Sequence, residues 1–207
     1  MEKIDAVITW VDGAEPKYQE KLKKYLKDRK TPKDQYFQAN EINFCIASII
    51  KYAPFIRKIF IVTDYQFPNL DNIKSLVSLN KIEVIDHKEI FRDHKDCLPT
   101  FNIRSIDAVL FKIKNLSNKF IYFNDDMFLI KETFKEDWFT DDKAVLTGSW
   151  AKTYNKQLIK TISHRIKKLL NKRPSFNAAQ SKAANIVDFR NKYYKSYHCG
   201  RPQIKSV

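Results

Sequence analysis

Four short runs of β-branched and aromatic residues recur along the chain, and each closes on a polar cluster. Ile4–Thr9 (IDAVIT) runs into Trp10-Val11-Asp12-Gly13, and Lys58–Thr63 (KIFIVT) into Asp64. Lys81–Ile85 ends at Asp86-His87, and Lys119–Asn124 (KFIYFN) at Asp125-Asp126. Such runs read as buried strands bounded by turn residues. Helical patterns lie between them. Pro16 opens a charged helix over Lys17 to about Lys27. Asn40–Tyr52 carries Ile42, Cys45, Ile46, Ile49 and Ile50 at helical spacing, stopped by Pro54. Leu70–Leu79 reads as a short helix and Ile103–Ile113 as an amphipathic one. Further on, the pattern predicts a strand over Val145–Trp150 and helices over Gln157–Asn171 and roughly Asn177–Tyr194. Strands alternating with helices predict an α/β fold with a mainly parallel sheet flanked by helices. Ligands of open α/β sheets bind at the carboxyl edge. The four polar clusters are therefore expected to line one cleft.

With 207 residues the chain is long enough for one substantial core. Only 3 Gly and 7 Pro are present, which leaves no collagen-like or low-complexity segment. No apolar run approaches the ~20 residues that span a bilayer, and the start carries Glu2, Lys3 and Asp5 in place of a signal-peptide apolar stretch. A cytoplasmic location is the expectation. Cys45, Cys97 and Cys199 are far apart and form no CxxC pair, so neither a disulfide framework nor a zinc site is expected.

The net charge of +14 is uneven. Residues 151–207 carry 14 Lys/Arg against the single acid Asp188, whereas residues 1–150 are nearly balanced. The expected organisation is a catalytic core over 1–150 and a basic helical lobe over 151–207 that faces something anionic. In the helix 157–171, Lys160, Arg165, Lys167, Lys168 and Lys172 lie off the apolar stripe. A solvated face on a packed helix accounts for that pattern, and so does contact with an anionic membrane or glycan. Nucleic acid ranks last, because charge is present without a recognition motif.

The sharpest chemical signal is Asn124-Asp125-Asp126. Adjacent carboxylates at a sheet edge repel each other unless a cation is near. Mg²⁺ or Mn²⁺ with oxygen ligands is the natural partner and would also neutralise a diphosphate. An ordinary turn explains the same residue types. Thr9-Trp10-Val11-Asp12-Gly13 is the second signal, since a glycine turn lets backbone N–H groups approach a ligand, although Asp-Gly is also a plain turn signature. Of the histidines, His87 can pair with Asp86, His94 reads as a surface group, and His164 as a surface group or a phosphate contact. His198, with Arg201 close by, suits acid–base or phosphate chemistry or simple solvation.

Taken together, these segments resemble the Stealth proteins. The family's first block, a strand followed by T-W-V-D-G and an acidic-Pro turn, corresponds to Ile4–Gly13 and Glu15-Pro16. The second corresponds to Asn40-Glu41, to Lys51–Ile59 running into Ile61–Asp64, to Val84–His87, to Leu98–Asn102 and to Phe120–Phe128. His198-Cys199-Gly200-Arg201-Pro202, with Ser206, resembles a third block, with Gly200 where Pro is usual. A fourth block is not reached before Val207, so the chain is expected to be truncated ahead of it. Tyr36, Phe37 and Gln38 stand where the family usually carries Arg, Ala47 where a basic residue is common, and Ile103 where Ser is favoured.

The resemblance implies a fold like that of nucleotide-sugar glycosyltransferases. It implies transfer of a hexose-1-phosphate from a nucleotide-sugar to a sugar hydroxyl in bacterial cell-surface polysaccharide synthesis. On that reading Asp125 and Asp126 hold Mg²⁺ or Mn²⁺ or orient the attacking hydroxyl, and Thr9, Trp10, Asp12 and Gly13 line the nucleotide site. Asn102 and Asn124 bind sugar or phosphate, His198 acts as base or stabilises the phosphoryl group, and Arg201 contacts the diphosphate. The implied partners are the nucleotide-sugar donor, a polysaccharide or glycolipid acceptor and the anionic inner membrane surface, not nucleic acid. An ordinary glycosyltransferase and an inactive glycan- or membrane-binding remnant are the alternatives.

Overall fold

A computed structural model describes residues 3–26, 39–76, 78–145, 148–152, 193–197 and 201–204. The four expected strands are β1 (Ile4–Thr9), β2 (Ile56–Thr63), β3 (Ile82–Asp86) and β4 (Lys119–Asn124). They form a parallel sheet in the order β3-β2-β1-β4. The register sets Thr9 beside Val62 on one flank and Asn124 on the other, and Thr63 beside Asp86. The strand ends are thereby level, which is what gathers their polar clusters.

Parallel strands of this kind are covered on both faces, and β1 is buried at every position. Ile4, Ala6 and Ile8 pack with Ile59, Ile61, Ile121 and Phe123 against α2 (Glu41–Tyr52), which contributes Ile42, Cys45, Ile46 and Ile49. On the other face Val7, Phe60, Phe120 and Tyr122 meet Ile90, Ile106, Leu110 and Ile113. Truncating a fully buried side chain such as Ile61 to Ala costs about 2–5 kcal/mol.

The helix α1 (Pro16–Leu26) starts at the proline, as the sequence predicts, and buries Tyr18 and Leu22. Two helical readings are shortened. The described part of Leu70–Leu79 holds a single 3-10 turn at Asp71–Ile73 followed by a turn over residues 74–76, and a second 3-10 turn at Leu79–Lys81. Ile73 is buried while Lys74, Ser75 and Leu76 are exposed, too little burial to offset the cost of nucleating a helix. Ile103–Ile113 gives a pattern of about three turns but only a short helix. After α3 (His87–Ile90), α4 covers Ile103–Asp107, and the chain leaves helical geometry at Val109 (φ −120°). Leu110 and Ile113 then reach the core from a turn.

The chain divides into two compact units, Met1–Val145 with Gly200–Val207, and Leu146–Cys199. The first also holds a small hairpin of β5 (Phe139–Thr140) and β6 (Lys143–Ala144). Within the second, β7 (Gly148–Lys152) pairs antiparallel with β8 (Tyr193–Tyr197). Tyr193 and Tyr194 are thus in a strand, not at the end of a helix. β9 (Arg201–Ile204) pairs antiparallel with β4, giving the first unit a fifth strand. The helix expected over 157–171, its lysines, and residues 177–192 lie outside the described residues. Among the described residues no helix is long and apolar enough to cross a membrane.

Candidate active site

β1 carries its chain onward through Trp10, whose N–H donates to the Val62 carbonyl at 2.9 Å. The next residues turn. The Glu15 N–H reaches the Asp12 carbonyl, and Asp12 Oδ1 accepts from the Ala14 N–H at 2.8 Å. One carboxylate oxygen of Asp12 therefore ties its own turn. Gln66, only 5% exposed, clamps this loop from the end of β2: its Oε1 accepts from the Asp12 N–H, and its Nε2 donates to the Asp12 carbonyl, both at 2.9 Å. The same Nε2 reaches Glu15, and Gln19 reaches the Gly13 carbonyl. Gln66 is placed by Tyr65, which adopts φ 58°. That left-handed geometry costs a side-chain-bearing residue about 1–2 kcal/mol.

At the end of β4 the Asn124 carbonyl accepts from the Met127 N–H at 3.1 Å, so Asp125 and Asp126 occupy the two central positions of a turn. α2 supports this turn from beneath. The Cys45 thiol faces the Asn124 carbonyl at 3.7 Å, and the Ser48 hydroxyl accepts from the Leu129 N–H at 3.0 Å. Burial, and then the charges of Asp125 and Asp126, push the Cys45 thiol up to about 12. It stays protonated at neutral pH.

A buried relay joins the two turns. Tyr122 OH donates to Asn124 Oδ1 at 2.9 Å and lies 2.9 Å from Thr9 Oγ1. A phenol has one proton. With that proton committed to Asn124, Thr9 is the donor to Tyr122. Asn124 Oδ1 is thereby fixed as an acceptor, which leaves its NH₂ group for donation.

These elements enclose a cleft of about 230 Å³ lined by Thr9, Trp10, Val11, Val62, His87, Ile103, Ile106, Asn124, Asp125 and Asp126. The sheet thus brings together Thr9, Trp10, Asn124, Asp125 and Asp126. Asp12 and Gly13 form the turn that follows. Asn102 caps α4, whose Ile103 and Ile106 wall the cleft; its Oδ1 accepts from the Arg104 N–H at 3.2 Å. Arg201 stands in register with Tyr122, on the strand next to β4. His198 lies outside the described residues.

His87 enters the cleft, as expected of the cluster that closes β3, whereas Asp64 and Asp86 are not among the described residues that line it. The Asp86 carboxylate instead caps α3, accepting from the Lys88 N–H at 2.8 Å. His87 is 3% exposed. Burial holds its imidazole below the usual histidine value, against the opposing pull of Asp64 and Asp86. It is therefore neutral at pH 7 and able both to donate and to accept. Tyr122 was readable in principle, being two residues before Asn124 on the same strand face. Gln66 carries no local signal, because its partners Asp12 and Glu15 are 54 and 51 residues away.

Residues 35–147 match the model for Stealth protein conserved region 2, more than half of the chain, and residues 2–30 match conserved region 1. The chain belongs to the Stealth family. Among curated Stealth relatives it is 41% identical over 144 residues to the capsular polysaccharide phosphotransferase cps1A of Actinobacillus pleuropneumoniae, covering 66% of this chain and 38% of the relative. It is 43% identical over 142 residues to the capsular polysaccharide phosphotransferase fcs1 of Haemophilus influenzae, covering 66% and 37%. The exopolysaccharide phosphotransferase cps2G of Lactiplantibacillus plantarum is 37% identical over 140 residues, covering 67% and 40%. The chain spans about two fifths of the length of these relatives. The cleft is assembled from both Stealth regions: the first supplies Thr9 and Trp10, and the second supplies His87 and Asn124–Asp126.

Proposed function

We propose that this cleft binds a nucleotide-sugar and transfers its hexose-1-phosphate to a sugar hydroxyl during synthesis of a cell-surface polysaccharide. The observation that carries the reading is the meeting of the β1 and β4 ends. Thr9-Trp10 and Asn124-Asp125-Asp126 line one cleft, and curated relatives similar in sequence to this chain are named as capsular or exopolysaccharide phosphotransferases.

The reaction needs alignment and charge neutralisation more than covalent help. The acceptor oxygen attacks the sugar-bearing phosphorus, the bond to the nucleoside monophosphate breaks, and the acceptor proton must leave. Asp126, exposed at the turn tip, is placed to accept that proton or to orient the hydroxyl. The Asn124 NH₂ group donates to a phosphate or sugar oxygen, its orientation locked by Tyr122 and Thr9. Trp10 and Val11 offer an apolar wall that excludes water. Neutral His87 donates to, or accepts from, a group at the opposite wall.

Among the described residues no group of three or more His, Cys, Asp or Glu side chains is arranged as a metal cage. Asp125 and Asp126 fit the other common arrangement, in which Mg²⁺ is held by one or two carboxylates and completed by substrate phosphate and water. When bound there, Mg²⁺ or Mn²⁺ would neutralise the diphosphate and the departing monophosphate. The basic stretch 151–207 adds an anion-binding function, with the acceptor or an anionic membrane surface as its target.

The test is a product assay. The chain is incubated with UDP- and GDP-sugars, an oligosaccharide acceptor and Mg²⁺. Nucleoside monophosphate as the product supports the proposal, and nucleoside diphosphate would assign simple sugar transfer instead.

A further inference from the structure

Beside the cleft lies a second, larger cavity of about 620 Å³, and the two share His87 as a common wall. Their charges are opposite. The cleft wall carries Asp125 and Asp126, with no lysine or arginine among the described residues that line it. The second cavity is lined by Lys17, Lys21, Lys24 and Lys88 against Glu20 and Asp64. Lys21 is committed to Asp64 at 3.0 Å. Lys17, Lys21 and Lys24 recur at i, i+4 and i+7 and so form one row along α1, with Lys17 and Lys24 about 10 Å apart along the helix axis. The neighbouring face of α1 is fixed to the protein by the buried Tyr18 and Leu22, which pins the row in place. Lys88 faces the row from the start of α3.

Lysines gathered in a concavity repel one another, and a bound anion relieves that repulsion. The cavity also has an organic wall. Tyr25 is 51% exposed and stands with Leu98 and Pro99 at its rim. An apolar wall with convergent charged groups is the lining of an organic ligand site rather than of an inorganic-ion site. The cleft alone, at about 230 Å³, is smaller than the ~300–1,000 Å³ usual for ligand pockets. A substrate reacting in the cleft must therefore extend beyond it.

We infer that the α1 groove is a phosphate subsite, in which Lys17, Lys24 and Lys88 hold a phosphate ester of the sugar substrate whose reacting end lies in the adjoining cleft. This rests on the proposed sugar-phosphate transfer. The ester is either the diphosphate of the donor or a phosphodiester already present in an acceptor that has been extended once. Both present the same chemistry to the lysines.

The test is a binding measurement on the full chain, without turnover. The probes are UDP-glucose with Mg²⁺, a synthetic glucose–phosphodiester–glucose, and maltose as the phosphate-free control. The protein variants are Lys17→Gln/Lys24→Gln/Lys88→Gln and the same three positions changed to Arg. These side chains are exposed, and circular dichroism confirms that each variant is folded. The glutamine variant should weaken at least one phosphate probe by roughly tenfold or more, with the arginine variant close to wild type. Weakening of UDP-glucose alone assigns the groove to the donor, and weakening of the phosphodiester alone assigns it to the acceptor. Unchanged affinity for both phosphate probes in the glutamine variant overturns the subsite, as does maltose binding equal to that of the phosphodiester. Because no turnover is read, this failure is separate from that of the proposed reaction, which shows in the nucleotide product.

Discussion

At the amino end of the sheet a carboxylate is buried and surrounded by donors; at the carboxyl end two carboxylates sit side by side on an open turn. Asp5, fully buried in β1, accepts from Arg57 Nε and Nη2 at 2.8 and 2.6 Å, from the Ser117 N–H at 2.7 Å and from the Lys58 N–H at 3.2 Å. Burial alone would raise its pKa, but the hydrogen bonds from Arg57 and Ser117 outweigh that and hold it below the ordinary carboxylate value. Asp125 and Asp126 follow one another on the turn that closes β4, where they line the cleft. The difference separates two uses of charge on one scaffold. A carboxylate with its donors built in serves the fold, and on the proposed reading adjacent carboxylates that line a cleft serve a ligand.

The contrast can be broken by mutation at either end. The largest effect is expected from Arg57→Gln, which leaves the buried Asp5 charge without its main partner. Denaturant unfolding should show a loss of about 3–5 kcal/mol, while the folded fraction keeps its affinity for nucleotide-sugar. A loss under ~1 kcal/mol would make the pair an ordinary surface bridge.

Asp126→Asn should act the other way round. Turnover should fall by at least ~10²-fold. The melting temperature should hold or rise in the absence of metal, since one of two adjacent charges is gone. Activity near wild type would remove Asp126 from the chemistry.

Tyr122→Phe cuts the relay between the two strand ends without opening a cavity. The expected cost is about 1–2 kcal/mol of stability, for a buried threonine and a half-buried asparagine that each lose a partner. Donor affinity should weaken severalfold as Asn124 loses its orientation. Stability that falls with donor affinity unchanged would leave the relay as packing alone.

The two ends also differ in acid. A carboxyl held low by the fold contributes its full stability above about pH 4 and loses it as the pH falls toward its folded value. Asp5 should therefore give the wild type a loss of stability below pH 4 that Asp5→Asn lacks. His87, held low by burial, adds a loss that begins below about pH 6.5, where the unfolded chain takes up a proton that the folded one refuses. Unfolding curves between pH 3 and 7 separate the two. The smallest effect concerns thiols: Cys97 is exposed and should be labelled readily by an alkylating reagent at pH 8, whereas Cys45 should be labelled only on unfolding.

What the sequence revealed follows from how local each signal is. The β4 strand is legible residue for residue, because KFIYFN is an unbroken strand-forming run closed by turn residues. The parallel sense of the sheet follows from strand–helix alternation; of the strand-end clusters, Thr9-Trp10, His87 and Asn124–Asp126 line the cleft, while Asp64 and Asp86 are not among its described lining residues. The short α4 was overread because Ile106, Leu110 and Ile113 keep helical spacing while the backbone between them does not stay helical. Gln66, Cys45 and Ser48 were invisible as site residues, since each acts on a partner between 54 and 81 positions away. His87 was read as one half of a pair with Asp86, and helix capping removed that partner. The family blocks brought Thr9, Trp10 and Asn124–Asp126 forward, and register then set Thr9 beside Asn124.

The most direct measurement of the central claim uses Mn²⁺ as a paramagnetic reporter on isotopically labelled chain, with UDP-glucose added. If the carboxyl end is the ligand end, the amide signals of Thr9, Trp10, Asn124, Asp125 and Asp126 broaden at substoichiometric Mn²⁺ and broaden further with the nucleotide-sugar, while those of Asp5, Arg57 and Ser117 stay sharp. Broadening centred on the amino end, or none at Asn124–Asp126 with nucleotide-sugar present, would contradict it.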